Sequence, residues 1–251
     1  MNFKLTLQYD GTEFHGWQVQ PGGQRTVQGE VAGALSLIEG REVVLHGAGR
    51  TDAGVHAEGQ VASVRLSREI TPEKLRDAVN SNVGRDVRVI NADVADDDFH
   101  ARFSARGKTY CYRIFQARFM SPFWARYAHH DARPLDTSKM RELASLFIGE
   151  HDWTAFSCAQ ADVETRVRRV TGLEIDERFD ERGQGRLVEI RISADGFLRY
   201  MVRSIAGTLL AAGRGEIDAA RITRALQTRD RTLSAATAPA RGLTLVKVDY
   251  W

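Results

Sequence analysis

The sequence predicts an α+β protein built from two ferredoxin-like halves, each running β-α-β-β-α-β. Three observations predict it. Apolar residues alternate with period two in some segments and recur at helical spacing in others, and the two kinds interleave along the chain. The order of elements in the first half returns in the second. No residue-level repeat accompanies that return, so the symmetry is one of shape. The chain has 251 residues, room for one large domain or two smaller ones. The expected division is 1–100 and 101–251, close to the charge-dense stretch from Asp96 to Arg106. Two such halves could each contribute a sheet, with a cleft between them.

In the first half, Phe3 to Asp10 alternates like a strand and ends in the turn pair Asp10-Gly11. Thr26 is placed to cap a helix reaching Ile38, with Val27, Val31, Leu35 and Ile38 on one face. Residues 42–50, EVVLHGAGR, read as a strand. Gln60 to Leu66 reads as its partner, although its alternation is poor. Thr71-Pro72-Glu73 opens a second helix: a cap, a proline in the first turn, and an acid near the positive end. Asp86 to Val94 reads as a strand.

In the second half, Lys108 to Phe115 is a strand. Thr137 to Ile148 is a helix with Met140, Leu143, Ala144 and Phe147 inward. Val167 to Ile175 and Arg186 to Ile192 are strands, Tyr200 to Ala212 an apolar helix, Ile217 to Leu226 a shorter one, and Leu243 to Tyr250 a closing strand.

Hydrophobic residues make up 43% and charged residues 27%, an ordinary globular balance. Lys and Arg number 35 against 33 Asp and Glu, a net +2. That does not by itself point to a nucleic-acid partner, though local clustering could. The two cysteines, Cys111 and Cys158, form no CxxC pair and no disulfide framework, which fits a reduced, cytoplasmic setting. MNFKLTLQYDGTEF reads as a strand, not a signal peptide. No apolar run reaches membrane-spanning length, so no membrane partner is expected.

Four features bear on chemistry. In GRTDAGVHA, Gly49 to Ala57, a single carboxylate, Asp52, stands among residues that favour tight backbone. Neither GxxxxGK[ST] nor GxGxxG is satisfied, so this is not a phosphate cradle of either kind. Asp52 is either a turn aspartate bonded to its own backbone or a presented catalytic group. From His100 to Tyr127 arginines and Lys108 interleave with aromatic residues. That mixture suits phosphates and unstacked bases of RNA; an amphipathic strand with a solvated face is the plainer alternative. TRVRRV (Thr165 to Val170) puts Arg166 and Arg168 on one strand face, as a phosphate track or as the guard of an exposed edge. Arg199 and Arg203 lie four apart on an otherwise apolar helix. A buried arginine needs an anionic partner, and Asp52 could be that partner. The seven histidines show no ligand spacing, so no metal site is expected. No GxSxG stretch appears, and neither cysteine has a nucleophile's setting.

Taken together these residues resemble the TruA family of tRNA pseudouridine synthases along nearly the whole chain. The resemblance runs in order through YDGTEFHGWQVQP (Tyr9 to Pro21) with TVQGE, GRTDAGVHA, HARFSARGKTYCYRI, GEHDWTAF (Gly149 to Phe156), FLRYMVRSIAGTLL and DRTLSAATAPARGLTLVKVDY. It implies two ferredoxin-like halves joined in a continuous, mainly antiparallel sheet with helices on one face and a central RNA-binding cleft. It also implies isomerisation of uridine to pseudouridine at positions 38, 39 and 40 of the tRNA anticodon stem-loop, by a cytoplasmic homodimer with no cofactor and no metal. Asp52 would be the nucleophile, acting on a base taken out of its stack. Tyr110 would stack on the uracil near C5, with a general-base role there. Arg203 would pair with Asp52 and orient it. Arg50 would hold the backbone of the extruded nucleotide, and Leu245 would supply apolar wall beneath the base. Arg106, Lys108, Arg166 and Arg168 are the candidate RNA backbone contacts. The chain departs from the family pattern at Cys111, where a polar residue is expected, and in the short Gly-rich loop from Gln20 to Arg25. Two rivals remain at this point. A nucleoside glycosidic-bond hydrolase would want a second carboxylate, and none stands out beside Asp52. A non-catalytic RNA-binding module would show the RRM pattern, which GKTYCYRI lacks.

Overall fold

Phe3, Leu5, Leu7 and Tyr9 alternate in sequence and are all buried, which makes β1 (Asn2–Tyr9) a strand with one face in a core. The computed structural model describes residues 1–159 and 164–250. It divides into two compact units. The first is Met1–Arg106 with the residues from Leu245 on, and the second is Gly107–Thr244. The break follows Arg106, and the C-terminal strand returns to the first unit, so that unit is not one continuous stretch of chain.

The first unit runs β1, α1 (Val27–Glu39), β2 (Leu45–Gly47), β3 (His56–Arg65), α2 (Pro72–Asn82) and β4 (Val87–Ala95). Its strands lie in the order β4-β1-β3-β2, each antiparallel to its neighbour. This is the ferredoxin-like arrangement of a βαββαβ chain. The helix starts follow the sequence signals: Thr26 accepts from the Gly29 N–H, and Thr71 caps Lys74 ahead of Pro72. Val27, Val31 and Leu35 are buried; Ile38 is only half-buried, and Ala34 takes the inward place beside Leu35.

Two expectations in this unit need correction. The strand expected over residues 42–50 is three residues long: residues 42–44 lie outside it, and beyond Ala48, whose N–H still donates to the Val61 carbonyl at 2.7 Å, the chain turns away into the Asp52 loop. β3 starts at His56, four residues before the expected Gln60, and nearly every residue along it is buried. A strand covered on both faces has no reason to alternate, which explains its poor sequence signal.

The second unit runs β5 (Gly107–Gln116), β6 (His129–His130), α3 (Thr137–Ala144), β7 (Gly149–Asp152), β8 (Val167–Asp180), β9 (Gly185–Ala194), α4 (Met201–Gly213) and α5 (Ala219–Thr228), then enters β10 (Leu243–Asp249). β5, β9, β8 and β7 are successive antiparallel neighbours, and β6 runs parallel to β5. The element order β5, α3, β8, β9, α4 repeats the first five elements of the first unit, with β6 and the edge strand β7 as additions. The helix expected from Thr137 to Ile148 stops at Ala144 and tightens into a 3₁₀ turn over Ser145–Phe147. Its inward residues Met140, Leu143, Ala144 and Phe147 are all buried. Arg199 lies outside α4, not on it. Tyr200, at φ +68°, breaks the chain into the left-handed region just before the helix begins. Arg199 and Arg203 are therefore not a helical i, i+4 pair.

Among the described residues no helix is long and apolar enough to cross a membrane.

Candidate active site

The Asp52 loop is held by the segment that follows β1. The buried Tyr9 hydroxyl shares a 2.8 Å hydrogen bond with Thr51 Oγ1. Trp17 N–H donates to the Thr51 carbonyl at 3.0 Å, and the Trp17 ring lies flush against Gly47 at the start of the loop. On the other side of Asp52, Val55 N–H returns to the Asp52 carbonyl at 3.1 Å, with Gly54 at φ +77° closing the turn. Gln60 Nε2 donates to the Gly49 carbonyl at 2.9 Å. His56 Nδ1 accepts the Gly11 N–H at 3.0 Å.

Gly16 shows how close this wrapping is. It sits at φ +92°, and a Cβ there would come within 2.7 Å of the Thr51 carbonyl oxygen. Only glycine combines that backbone angle with that approach. The consequence for Asp52 is a fixed backbone: Thr51 and Val55 on either side are buried, while Asp52 is half-buried and Arg50 exposed. A carboxylate presented on a pre-organised loop needs little rearrangement before it meets a substrate. Burial pushes the Tyr9 hydroxyl up to about 12, against the lowering pull of its Thr51 and Gln60 hydrogen bonds. It therefore stays protonated throughout the neutral range. Leu245 belongs to the same unit and is fully buried.

The sequence pointed to Asp52 and not to its supports. Tyr9, Gly16, Trp17 and Gln60 hold the loop, and residue-by-residue reading leaves them unassigned, although YDGTEFHGWQ is itself conspicuous.

Tyr110, Lys108, Arg203, Arg166 and Arg168 belong to the second unit. Tyr110 is buried on β5 opposite Ile192, with its ring edge-on to Phe197 at 5.1 Å. Lys108 is half-buried at the start of the same strand, opposite Ala194. Arg203 Nε donates to the Ala238 carbonyl at 2.7 Å, and Ala238 N–H donates back to the Arg203 carbonyl at 3.0 Å. Its guanidinium lies 5.1 Å from the centroid of the Tyr200 ring. Arg166 precedes β8, and its guanidinium donates to Ser157 Oγ and to the carbonyls of Cys158 and Ala159. Arg168 donates to the Thr165 carbonyl at 3.0 Å. Arg106, in the first unit, is exposed and its N–H donates to the Asp249 carbonyl.

Trp124 aside, which is half-buried, the Phe and Tyr residues of 100–127 separate into two kinds. Tyr110, Tyr112 and Phe115 are core residues, Tyr112 donating its hydroxyl to the Pro239 carbonyl at 3.0 Å. Phe103, Phe119, Phe123 and Tyr127 are exposed. Arg113 is tied to Glu189 at 2.8 Å. Burial pushes the Cys111 thiol up to about 12, so it carries no thiolate at neutral pH. No group of three or more His, Cys, Asp or Glu side chains among the described residues is arranged to hold a metal ion.

A family profile described as tRNA pseudouridine synthase matches residues 6–104 and 143–251. The chain belongs to that family. A tRNA pseudouridine synthase A from Bacillus sp. (strain KSM-64) is 38% identical over 249 residues, covering 99% of each chain. Another from Solibacter usitatus (strain Ellin6076) is 44% identical over 250 residues, covering 98% of each. Among solved structures, a chain of the archaeal box H/ACA sRNP Nop10–Cbf5 complex aligns with a TM-score of 0.36 and 15% identity over 83% of this chain and 43% of that one. That likeness is too remote to argue from. As a tRNA pseudouridine synthase the protein is an isomerase. The whole Asp52 loop and the Tyr9–Trp17 segment that clamps it fall inside the matched residues, whereas Tyr110 lies in the interval between the two matched stretches.

Proposed function

We propose that this synthase isomerises uridines 38, 39 and 40 of the tRNA anticodon stem-loop with Asp52 as nucleophile. The observation that carries the reading is the clamped loop: a half-buried carboxylate on a backbone held at Thr51 by Tyr9 and Trp17. A turn aspartate needs no such support from a segment far away in sequence. The Asp52 carboxylate attacks C1′ of the ribose or assists departure of the uracil from it. The N1–C1′ bond breaks, and its electron pair goes to the uracil. The freed base turns and a C5–C1′ bond forms; on the covalent route the Asp52–C1′ bond breaks as it does, returning its electron pair to the carboxylate, and then C5 gives up its proton and N1 takes one up. Product and substrate contain the same atoms, and nothing is oxidised or reduced.

Tyr110 stacks on the uracil in this reading and lies near the C5 proton. Arg203 pairs with Asp52, Arg50 holds the extruded nucleotide's backbone, and Leu245 supplies apolar wall beneath the base. Arg106, Lys108, Arg166 and Arg168 serve RNA phosphates. For Arg166 this requires exchanging its carbonyl partners at 158 and 159 for phosphate. The working form is a cytoplasmic homodimer: the resemblance supports the dimer, and a chain with only two cysteines fits the reduced setting.

The test is to incubate the purified protein with unmodified tRNA and map pseudouridine with a reagent that labels it. The expected result is modification at 38, 39 and 40, abolished in Asp52→Ala with tRNA binding retained. Near wild-type turnover by Asp52→Ala overturns the nucleophile. Release of free uracil with an abasic site indicates a hydrolase instead.

A further inference from the structure

The loop between β5 and β6, residues 117–128, carries two large apolar side chains in water. Phe119 is 72% exposed and Phe123 53%. Each has an arginine guanidinium beside its ring: Arg118 at 5.1 Å from the Phe119 centroid, and Arg182, from the β8–β9 turn, at 4.0 Å from that of Phe123. The loop is not a loose excursion. Trp124 Nε1 donates to Asp180 Oδ2 at 2.8 Å, and the same oxygen accepts the Gly183 N–H at 2.6 Å. Behind it, Ala117, Met120 and Trp124 pack on the buried Phe115, Ala128 and Leu187. The exposed rings are therefore displayed from a pinned base. The loop lies wholly within the second unit and in the interval that the family profile leaves unmatched.

We propose that this ledge is a second contact for the tRNA substrate, taking unpaired nucleotides other than the one being modified. Phenylalanine rings offer a stacking surface to any base whose face is open, and adjacent guanidinium groups serve both as stacking planes and as phosphate partners. Bases within a duplex have both faces covered, so the fit is to looped or bulged nucleotides. The chemistry discriminates against a second copy of this chain as the occupant. A two-fold contact places the same patch on both sides, which brings the arginines of one copy towards those of the other. Of the acids near the patch, Asp180 is already engaged by Trp124 and Gly183, and Glu181 stands next to Arg182 in the β8–β9 turn. A polyanion meets the arginines with the opposite charge. The inference rests on tRNA being the substrate and not on the role of Asp52.

The test uses full-length Asp52→Ala protein and unmodified tRNA, so that binding is read without turnover. Phe119→Ala/Phe123→Ala is expected to weaken tRNA binding about tenfold or more, with the unfolding midpoint unchanged. Phe119→Trp/Phe123→Trp keeps the stacking faces and is expected to restore binding. Arg118→Gln/Arg182→Gln is expected to lower the salt dependence of binding by about one to two phosphate contacts. Unchanged tRNA affinity in the double alanine variant overturns the proposal. So does a fall in oligomeric mass by light scattering with tRNA affinity intact, which would make the ledge a contact between copies. In an otherwise wild-type enzyme the double alanine variant is expected to raise KM for tRNA and leave kcat unchanged. A loss of kcat alone also counts against it.

Discussion

Tyr9 reaches across the sheet to place its hydroxyl 2.8 Å from Thr51 Oγ1, one residue before the carboxylate proposed to do the chemistry. The two residues are 42 apart in sequence. Both are buried, so neither can turn to water if the bond is lost. Tyr9→Phe removes the bond and keeps the ring. It is expected to cost about 1–2 kcal/mol of stability and to lower kcat several-fold, with KM for tRNA changing less than twofold. Steady-state kinetics beside a urea melt read this directly. A melt shifted as expected with kcat unchanged would make the bond structural only.

Alkaline stability follows from the same hydroxyl. Burial raises Tyr9 from its ordinary 10 to about 12, and burial also raises Tyr112 and Tyr250 above the ordinary tyrosine value. A raised folded value means the unfolded chain loses these protons first. The stability they contribute is whole below pH 10 and falls as pH climbs from 10 towards 12 and beyond, by on the order of 1.4 kcal/mol per pH unit for each tyrosine concerned. Urea midpoints measured between pH 8 and 11 should be flat and then decline. Tyr9→Phe should decline less steeply than wild type.

Gly16→Ala tests the close approach beneath the loop. Alanine at φ +92° is strained, and its Cβ would press on the Thr51 carbonyl. A loss of at least about 2 kcal/mol is expected, which for a chain of this size lowers the melting temperature by roughly 4–8 °C. Turnover should fall by more than the folded fraction does, since the displaced group borders Asp52. Calorimetry with activity per folded molecule separates the two effects.

Arg203 carries a structural duty apart from its proposed pairing. Its Nε and carbonyl tie α4 to residue 238 in both directions. Arg203→Ala should cost about 1.5–3 kcal/mol through the lost charged hydrogen bond. Arg203→Lys keeps the charge without the planar fork, so it should recover little of the tie. Equal melts for all three proteins would remove this duty and leave only the electrostatic one.

The strands and helices that follow simple rules were legible in the sequence. Phe3 to Tyr9 alternates because one face is buried, and Thr26 and Thr71-Pro72 mark helix starts by capping chemistry. β3 was blurred because it is buried on both faces, which erases period two. Tyr200 in the left-handed region carries no sequence signal, and it displaced Arg199 from the helix. At the site, Asp52 stood out by its company, but its clamp is a set of long-range contacts that no local pattern encodes. The aromatic run of 100–127 looked uniform in sequence; only packing separates Tyr110 and Tyr112 in the core from Phe119 and Phe123 in water.

The first unit draws on two stretches far apart in the chain, Met1–Arg106 and the residues from Leu245 on. Tyr250 donates its hydroxyl to the Ala101 carbonyl, and its ring packs in one cluster with Ala48 and Val61 at the foot of the Asp52 loop. Arg106 N–H meets the Asp249 carbonyl. On a translating ribosome, residues 1–106 emerge long before residues 245–250 exist. The unit that bears Asp52 must wait, incomplete, through synthesis of the whole second unit. Nascent chains should therefore acquire catalytic competence in one late step, after Tyr250 leaves the exit tunnel, and not gradually as the Asp52 loop appears.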